Sequence, residues 1–171
     1  MIRKKKLYTK PRKLYESTRI KEEDALVKKY GLKNKREIWK TLAKVNYFRS
    51  RAKDLAKSSM KEQNVLFNKL KSIGFKAETI ADILDLKGED ILERRLPTII
   101  VKKKMANTPF EARQLVVHKK ILINGKVMDA PSYLVPVSDE SSITIKKKNK
   151  VKVKEKAWEQ NEEVEEAEND K

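Results

Sequence analysis

Asn124-Gly125 lies between an apolar run, Ile121-Leu122-Ile123, and the pair Lys126-Val127. A two-residue Asn-Gly loop in that setting is the strongest short-range hairpin signal, because both residues tolerate the positive φ of a type I′ turn. This turn commits the chain to an antiparallel sheet. Thr108, Pro109 and Glu111 then supply an N-cap, an N1 proline and an N3 acid, so a helix should start there and run through Phe110, Ala112, Leu115 and Val116 to His118. Pro97 suits the first turn of an earlier helix, carried by Ile99, Ile100 and Val101 to a lysine triplet. Glu93 to Leu96 should end the helix before it. After the hairpin, Pro131-Ser132-Tyr133 turns the chain into Leu134-Val135, Asp139-Glu140 turns it again, and Ile143 to Ile145 closes the sheet. Leu96, Ile99, Ile100, Phe110, Leu115, Val116, Ile121 and Ile123 are the candidate core.

Around this core the polar residues gather. Arg94, Arg95, Lys102, Lys103, Lys104, Arg113, Gln114, His118, Lys119, Lys120 and Lys126 sit where one face can collect them. Lysine and arginine number 42 against 25 Asp and Glu, for a net charge of +17, which favours nucleic acid or an anionic membrane as partner. The chain has no cysteine and one histidine. Disulfides, thiolate zinc sites and cysteine nucleophiles are thereby excluded, and no metal or cofactor is expected. The N-terminus lacks the apolar core of a signal peptide, and no run approaches the ~18 apolar residues of a membrane span. A cytoplasmic location without membrane contact is expected.

Upstream, residues 18–91 read as a helical domain. The first helix covers 18–30 and stops at Gly31. A second opens at Asn34, where Asn34 and Glu37 have capping-box spacing, and runs to about residue 57 with Ile38, Leu42, Val45, Phe48, Ala52 and Leu55 inward. Its other face carries Lys40, Lys44, Arg49, Arg51 and Lys53. Ser59 and Glu62 repeat the box for a third helix, with Val65, Leu66, Phe67, Leu70 and Ile73 inward and Gly74 at its end. Thr79 to Leu86 is a short helix stopped near Gly88. Before them lies a basic arm, residues 1–17, in which Arg12 and Lys13 sit among Leu7, Tyr8, Leu14 and Tyr15; such interleaving suits phosphate contact and base stacking. After the module of 92–146 come a lysine-rich stretch and then an acidic one, with eight acids and two lysines in residues 155–171. This tail, 147–171, has the composition of a disordered segment. The fold class is α+β: a helical N-terminal domain, a small two-helix and antiparallel-sheet domain, a basic arm and an acidic tail.

Several of these segments carry a resemblance. Leu92 to Leu96 (LERRL), Thr108 to His118 (TPFEARQLVVH), Ile121 to Val127 (ILINGKV), Pro131 to Val135 (PSYLV) and Asp139 to Ile145 (DESSITI) resemble the RNA-binding domain of the ribosomal protein S four family. Tyr30 to Lys40 (YGLKNKREIWK) and Phe48 to Lys57 (FRSRAKDLAK) resemble its archaeal and eukaryotic branch. The resemblance spans roughly residues 8–145. It implies a primary rRNA-binding protein of the small ribosomal subunit that helps nucleate the 5′ region of the rRNA. It also implies a position where mRNA enters, beside ribosomal proteins S three and S five, with a part in translational accuracy. Family contacts carry over to Arg94, Arg95, Arg113, Gln114, His118, Lys126, Ser132 and Tyr133. The chain departs from the family at Pro97, where an acid or amide is frequent, and at Lys119, where glycine is common. Zinc-binding cysteines of some bacterial members are absent.

Other readings compete. His118 has no nucleophile or carboxylate partner in the pattern, so a helix-end residue near phosphate is expected, not a catalyst. Residues 1–90 are too short and lysine-rich for a catalytic domain, and no enzymatic activity is expected. Of Arg94 and Arg95, adjacent on a helix and about 100° apart, one should face RNA and one should be structural. Two helices and a hairpin also describe a winged-helix DNA-binding regulator. Against that, no dimerisation segment stands out, no homo-oligomer is expected, and basic charge is spread over the arm and several helices. Tyr8, Tyr15, Tyr47, Phe48 and Tyr133 are stacking candidates, Phe48 more a core residue than the others.

Overall fold

The computed structural model describes residue 6 and residues 8–146. The expected acidic tail, 147–171, lies outside the described residues. In chain order the elements are α1 (Ser17–Tyr30), α2 (Lys35–Leu55), α3 (Met60–Ile73), α4 (Ile80–Asp85), α5 (Gly88–Glu93), α6 (Leu96–Lys102) and α7 (Pro109–Val117). Then follow β1 (Ile121–Ile123), β2 (Lys126–Val127), α8 (Val137–Glu140) and β3 (Ile143–Ile145).

α1 to α5 pack around α2. Its Val45, Phe48 and Ala52 meet Leu66, Phe67 and Leu70 of α3, Ile83 of α4 and Ile91 of α5 in one buried cluster. A second cluster joins Tyr30, Leu32, Ile38 and Leu92. A third lies under the sheet, built from Leu96, Ile99, Ile100, Val116, Ile121, Val135 and Ile143. Ile91 and Leu92 of α5 belong to the first two clusters, and Leu134 from beyond the hairpin packs on the first. The helical part and the sheet part therefore share apolar contacts.

The sheet has strand order β2-β1-β3, both pairs antiparallel. Asn124 (φ 50) and Gly125 (φ 76) form the hairpin turn that their chemistry demands. Ile121 lies opposite Ile145 and Ile123 opposite Ile143. The expected strand at Leu134-Val135 does not join this sheet. Leu134 makes an isolated bridge with Arg95, and the Val135 N–H donates to the Arg94 carbonyl at 3.1 Å. Asp139-Glu140 turns the chain as the last residues of α8.

Capping spacing is only partly realised. Thr79 Oγ1 accepts from Asp82 N at 3.2 Å, and the Asp82 carboxylate accepts from Thr79 N at 2.8 Å, a complete box. Ser59 and Asn34 make no side-chain cap. Gly88 opens α5 instead of stopping α4. Leu86 turns extended there, and the Lys87 N–H donates to the Asp90 carboxylate at 2.7 Å. Three expected core residues are on the surface: Leu42 (47% exposed), Val65 (70%) and Phe110 (54%).

Candidate nucleic-acid interface

α6 and α7 form the paired helices of the sheet domain, and both end alike. After α6, Lys104 takes φ +57 and the Met105 N–H reaches back to the Ile100 carbonyl at 3.1 Å. After α7, Lys119 takes φ +57 and the Lys120 N–H reaches the Leu115 carbonyl at 3.0 Å. The same six-to-one bond closes α1 beyond Gly31 and α3 beyond Gly74, where glycine supplies the left-handed residue. At Lys104 and Lys119 a lysine does so, at about 1 kcal/mol of backbone strain. Strain of this kind collects at functional positions. Here it leaves Lys104 on the surface, and Lys119 exposed between His118 and Lys120. Lys119→Gly should therefore raise stability by up to about 1 kcal/mol in urea unfolding, while removing one cation.

The sequence-nominated cations divide sharply. Arg95 is only 4% exposed. Its Nη2 pairs with Glu37 Oε2 at 2.6 Å, and its Nε donates to the Pro131 carbonyl at 3.2 Å. Arg113 meets the same carboxylate through two nitrogens, Nη2 to Oε1 at 2.8 Å and Nη1 to Oε2 at 3.1 Å. Arg94 Nη2 donates to the Val135 carbonyl at 2.8 Å, and its guanidinium pairs with Glu140. Arg49 Nη2 donates to the Leu86 carbonyl at 2.8 Å, so it ties α2 to the end of α4. Both arginines are thus held by protein groups, Arg95 buried and Arg94 half-buried. The expected Asn34–Glu37 box is corrected by the same contacts, because two guanidiniums hold the Glu37 carboxylate.

The remaining nominees are outside. Gln114, His118, Lys120, Lys126, Ser132 and Arg51 are exposed, as are Arg12 and Lys13 of the arm. Lys119 lies 4.0 Å from Asp129, both well exposed. Lys102 pairs with Glu93 at 3.0 Å on the surface, and Lys103 reaches the Glu140 carbonyl. Tyr133 packs partly against the sheet-domain core. The described part of the arm, from Tyr8 on, is tied to the fold. Tyr8 lies 6.3 Å from the Trp39 ring, and Arg19 Nη2 donates to the carbonyls of Lys13 and Leu14.

Between the two domains runs a cleft of about 1000 Å³. Glu37, Lys40, Thr41, Lys44 and Tyr47, which share one face of α2, form one side. Arg95, Arg113, Pro131, Ser132 and Leu134 form the other, and Lys6 and Tyr8 of the arm also line the cleft. The basic face read from sequence, Lys40, Lys44, Arg49, Arg51 and Lys53, divides here: Lys40 and Lys44 line the cleft, while Arg49 ties α2 to Leu86. Desolvation, and then the charge of Lys69, draws the Lys44 ammonium below the ordinary lysine value. Burial would push the Glu37 carboxyl up, but the hydrogen bonds and charges of Arg113 and Arg95 outweigh it and hold it below the usual carboxylate range.

Residues 94–141 match the S4 domain family model. The small ribosomal subunit protein uS4 of Methanococcus aeolicus is 43% identical over 146 residues, covering 81% of this chain and 82% of that protein. The uS4 of Methanothermobacter thermautotrophicus is 41% identical over 145 residues, covering 81% and 85%. The chain belongs to the uS4 family. Saccharolobus islandicus supplies a further relative at 43% identity over 132 residues, 73% of each chain. All three sources are archaea, in keeping with the archaeal-type branch. For a uS4-family chain the winged-helix regulator reading is superseded. The two departures from the family also take physical form. Pro97 is buried in the first turn of α6, and Lys119 occupies the left-handed position that favours glycine.

Proposed function

We propose that this chain is a structural, non-catalytic constituent of the small ribosomal subunit that binds the 5′ region of its rRNA. In this reading it helps nucleate subunit assembly. It lies where mRNA enters, beside ribosomal proteins S five and S three, contributes to translational accuracy and resides on cytoplasmic ribosomes. The uS4 relatives supply the particle. One observation carries the mode of binding. With Arg95 buried and Arg94 tied to Val135 and Glu140, the exposed His118-Lys119-Lys120 turn, Lys126 and the α2 face remain for phosphates.

Structured RNA is met through backbone phosphates, 2′-hydroxyls and splayed bases. Lysines on a bend and an edge strand suit the first of these. Replacing Lys119, Lys120 and Lys126 together by alanine should weaken binding to a transcript of the small-subunit rRNA 5′ domain. It should also flatten the slope of log K against log salt by about 2, at roughly 0.7 for each phosphate that a lysine no longer neutralises. Filter binding at several salt concentrations measures both. An unchanged slope removes these lysines from the contact surface. Duplex DNA displacing the transcript as well as unlabelled transcript does would overturn rRNA recognition itself.

A further inference from the structure

We propose that the cleft between α2 and the sheet domain is a pocket for a single unpaired nucleotide of the bound RNA, its base against Tyr47 and its phosphate on Lys40 and Lys44. The proposal rests on the rRNA-binding reading and specifies what one part of that surface holds. A volume of about 1000 Å³ is on the scale of sites that enclose a small organic ligand. An RNA duplex is too wide for such a site, whereas one splayed nucleotide fits. The two walls differ as a nucleotide requires. Tyr47 is 58% exposed, although its ring also touches Phe48 edge-on at 5.7 Å, so one side of an aromatic stays open to a base. Pro131 and Leu134 offer apolar surface opposite, and the Ser132 hydroxyl offers a donor and acceptor at the rim. Lys40 and Lys44 line one wall a helical turn apart, two like charges with no carboxylate paired to either among the described ion pairs. An incoming phosphate relieves that repulsion. Glu37 at the α2 wall is already held by two guanidiniums, so its charge is balanced within the protein.

The test uses the full chain, the rRNA 5′-domain transcript and a 4-thiouridine hexanucleotide. Stacking of a base on an aromatic predicts that Tyr47→Ala weakens transcript binding about tenfold, whereas Tyr47→Phe keeps it within about twofold. Both variants should retain wild-type helicity and thermal midpoint, since the side chain is mostly exposed. Photocrosslinking of the hexanucleotide should mark the α2 peptide that contains Tyr47, and a 12-base-pair RNA duplex should not compete the mark away. Wild-type affinity in Tyr47→Ala, or crosslinks confined to other peptides, overturns the pocket while leaving rRNA binding intact. Failure of the wild-type chain to bind the transcript overturns the ribosomal reading itself.

Discussion

Glu37→Ala is expected to cost about 3 kcal/mol of stability, the lower end of the loss when one partner of a buried ion pair is removed. Arg95 is the reason. Its side chain is 5% exposed, and Glu37 is the carboxylate at 2.6 Å from it. Without Glu37, the Pro131 carbonyl at 3.2 Å is left as its described hydrogen-bond partner. Arg113 is deprived of both its hydrogen bonds to Glu37 by the same substitution, but its side chain is 19% exposed and water can take up part of that role. A chain of this size loses roughly 2–4 °C of thermal midpoint per kcal/mol, so a fall of about 6–12 °C is expected. Glu37→Gln keeps one acceptor oxygen and should recover part of the loss. The carboxyl is held below its ordinary value in the folded chain. Its contribution is therefore complete above the unfolded value of about pH 4.3 and is lost as pH falls through the lower folded value. Urea unfolding of wild type and Glu37→Gln between neutral pH and pH 3 checks this. The stability gap between them should narrow as the solution becomes acidic. A gap that is constant with pH would deny Glu37 its charged role.

Glu37 also shows where sequence reasoning stops. Asn34 and Glu37 have the same spacing as Thr79 and Asp82, yet only the second pair forms a box. Spacing reports which atoms can meet within one helical turn. It does not report that Arg95 and Arg113, 58 and 76 residues away, will claim the carboxylate. The Asn-Gly turn and the Thr108-Pro109 start were legible because their chemistry closes within a few residues. The core was legible where periodicity was unambiguous, as at Val45, Phe48 and Ala52. It failed in the run Val65-Leu66-Phe67, since three consecutive helix positions span too wide an arc to be buried together. Leu66 and Phe67 went inside and Val65 stayed out. Among the basic residues, surface exposure was more legible for lysines than for arginines. An ammonium is strongly hydrated and stays in water, whereas a guanidinium serves equally as a buried carbonyl clamp. Arg49, Arg94 and Arg95 therefore became ties between elements, a role that one-dimensional pattern cannot distinguish from RNA contact.

Gly31→Ala is expected to cost as much as Glu37→Ala, for a reason that is only half local. Gly31 follows α1 with φ +60, and an L residue held there pays about 1 kcal/mol. A Cβ at this position would lie 2.7 Å from the Pro109 carbonyl carbon, 2.8 Å from its oxygen and 2.9 Å from its Cβ. Two of these atoms are backbone at the first residue of α7, so no rotamer change relieves the overlap. Overpacking of a tight contact costs about 1–3 kcal/mol, which with the strain gives about 2–4 kcal/mol. Gly125→Ala isolates the strain. Its φ is +76, but a Cβ there meets nothing within 4 Å, so about 1 kcal/mol is expected. Urea unfolding of the two variants should separate them by the packing cost. Hydrogen exchange locates it, because the Leu32 N–H, bonded to the Val27 carbonyl at 3.0 Å, should lose protection in Gly31→Ala alone. Equal losses in both variants would mean that α1 and α7 separate without cost. The seam between the helical domain and α7 would then depend on the Glu37 cluster and the apolar contacts of Leu134, and not on this close approach.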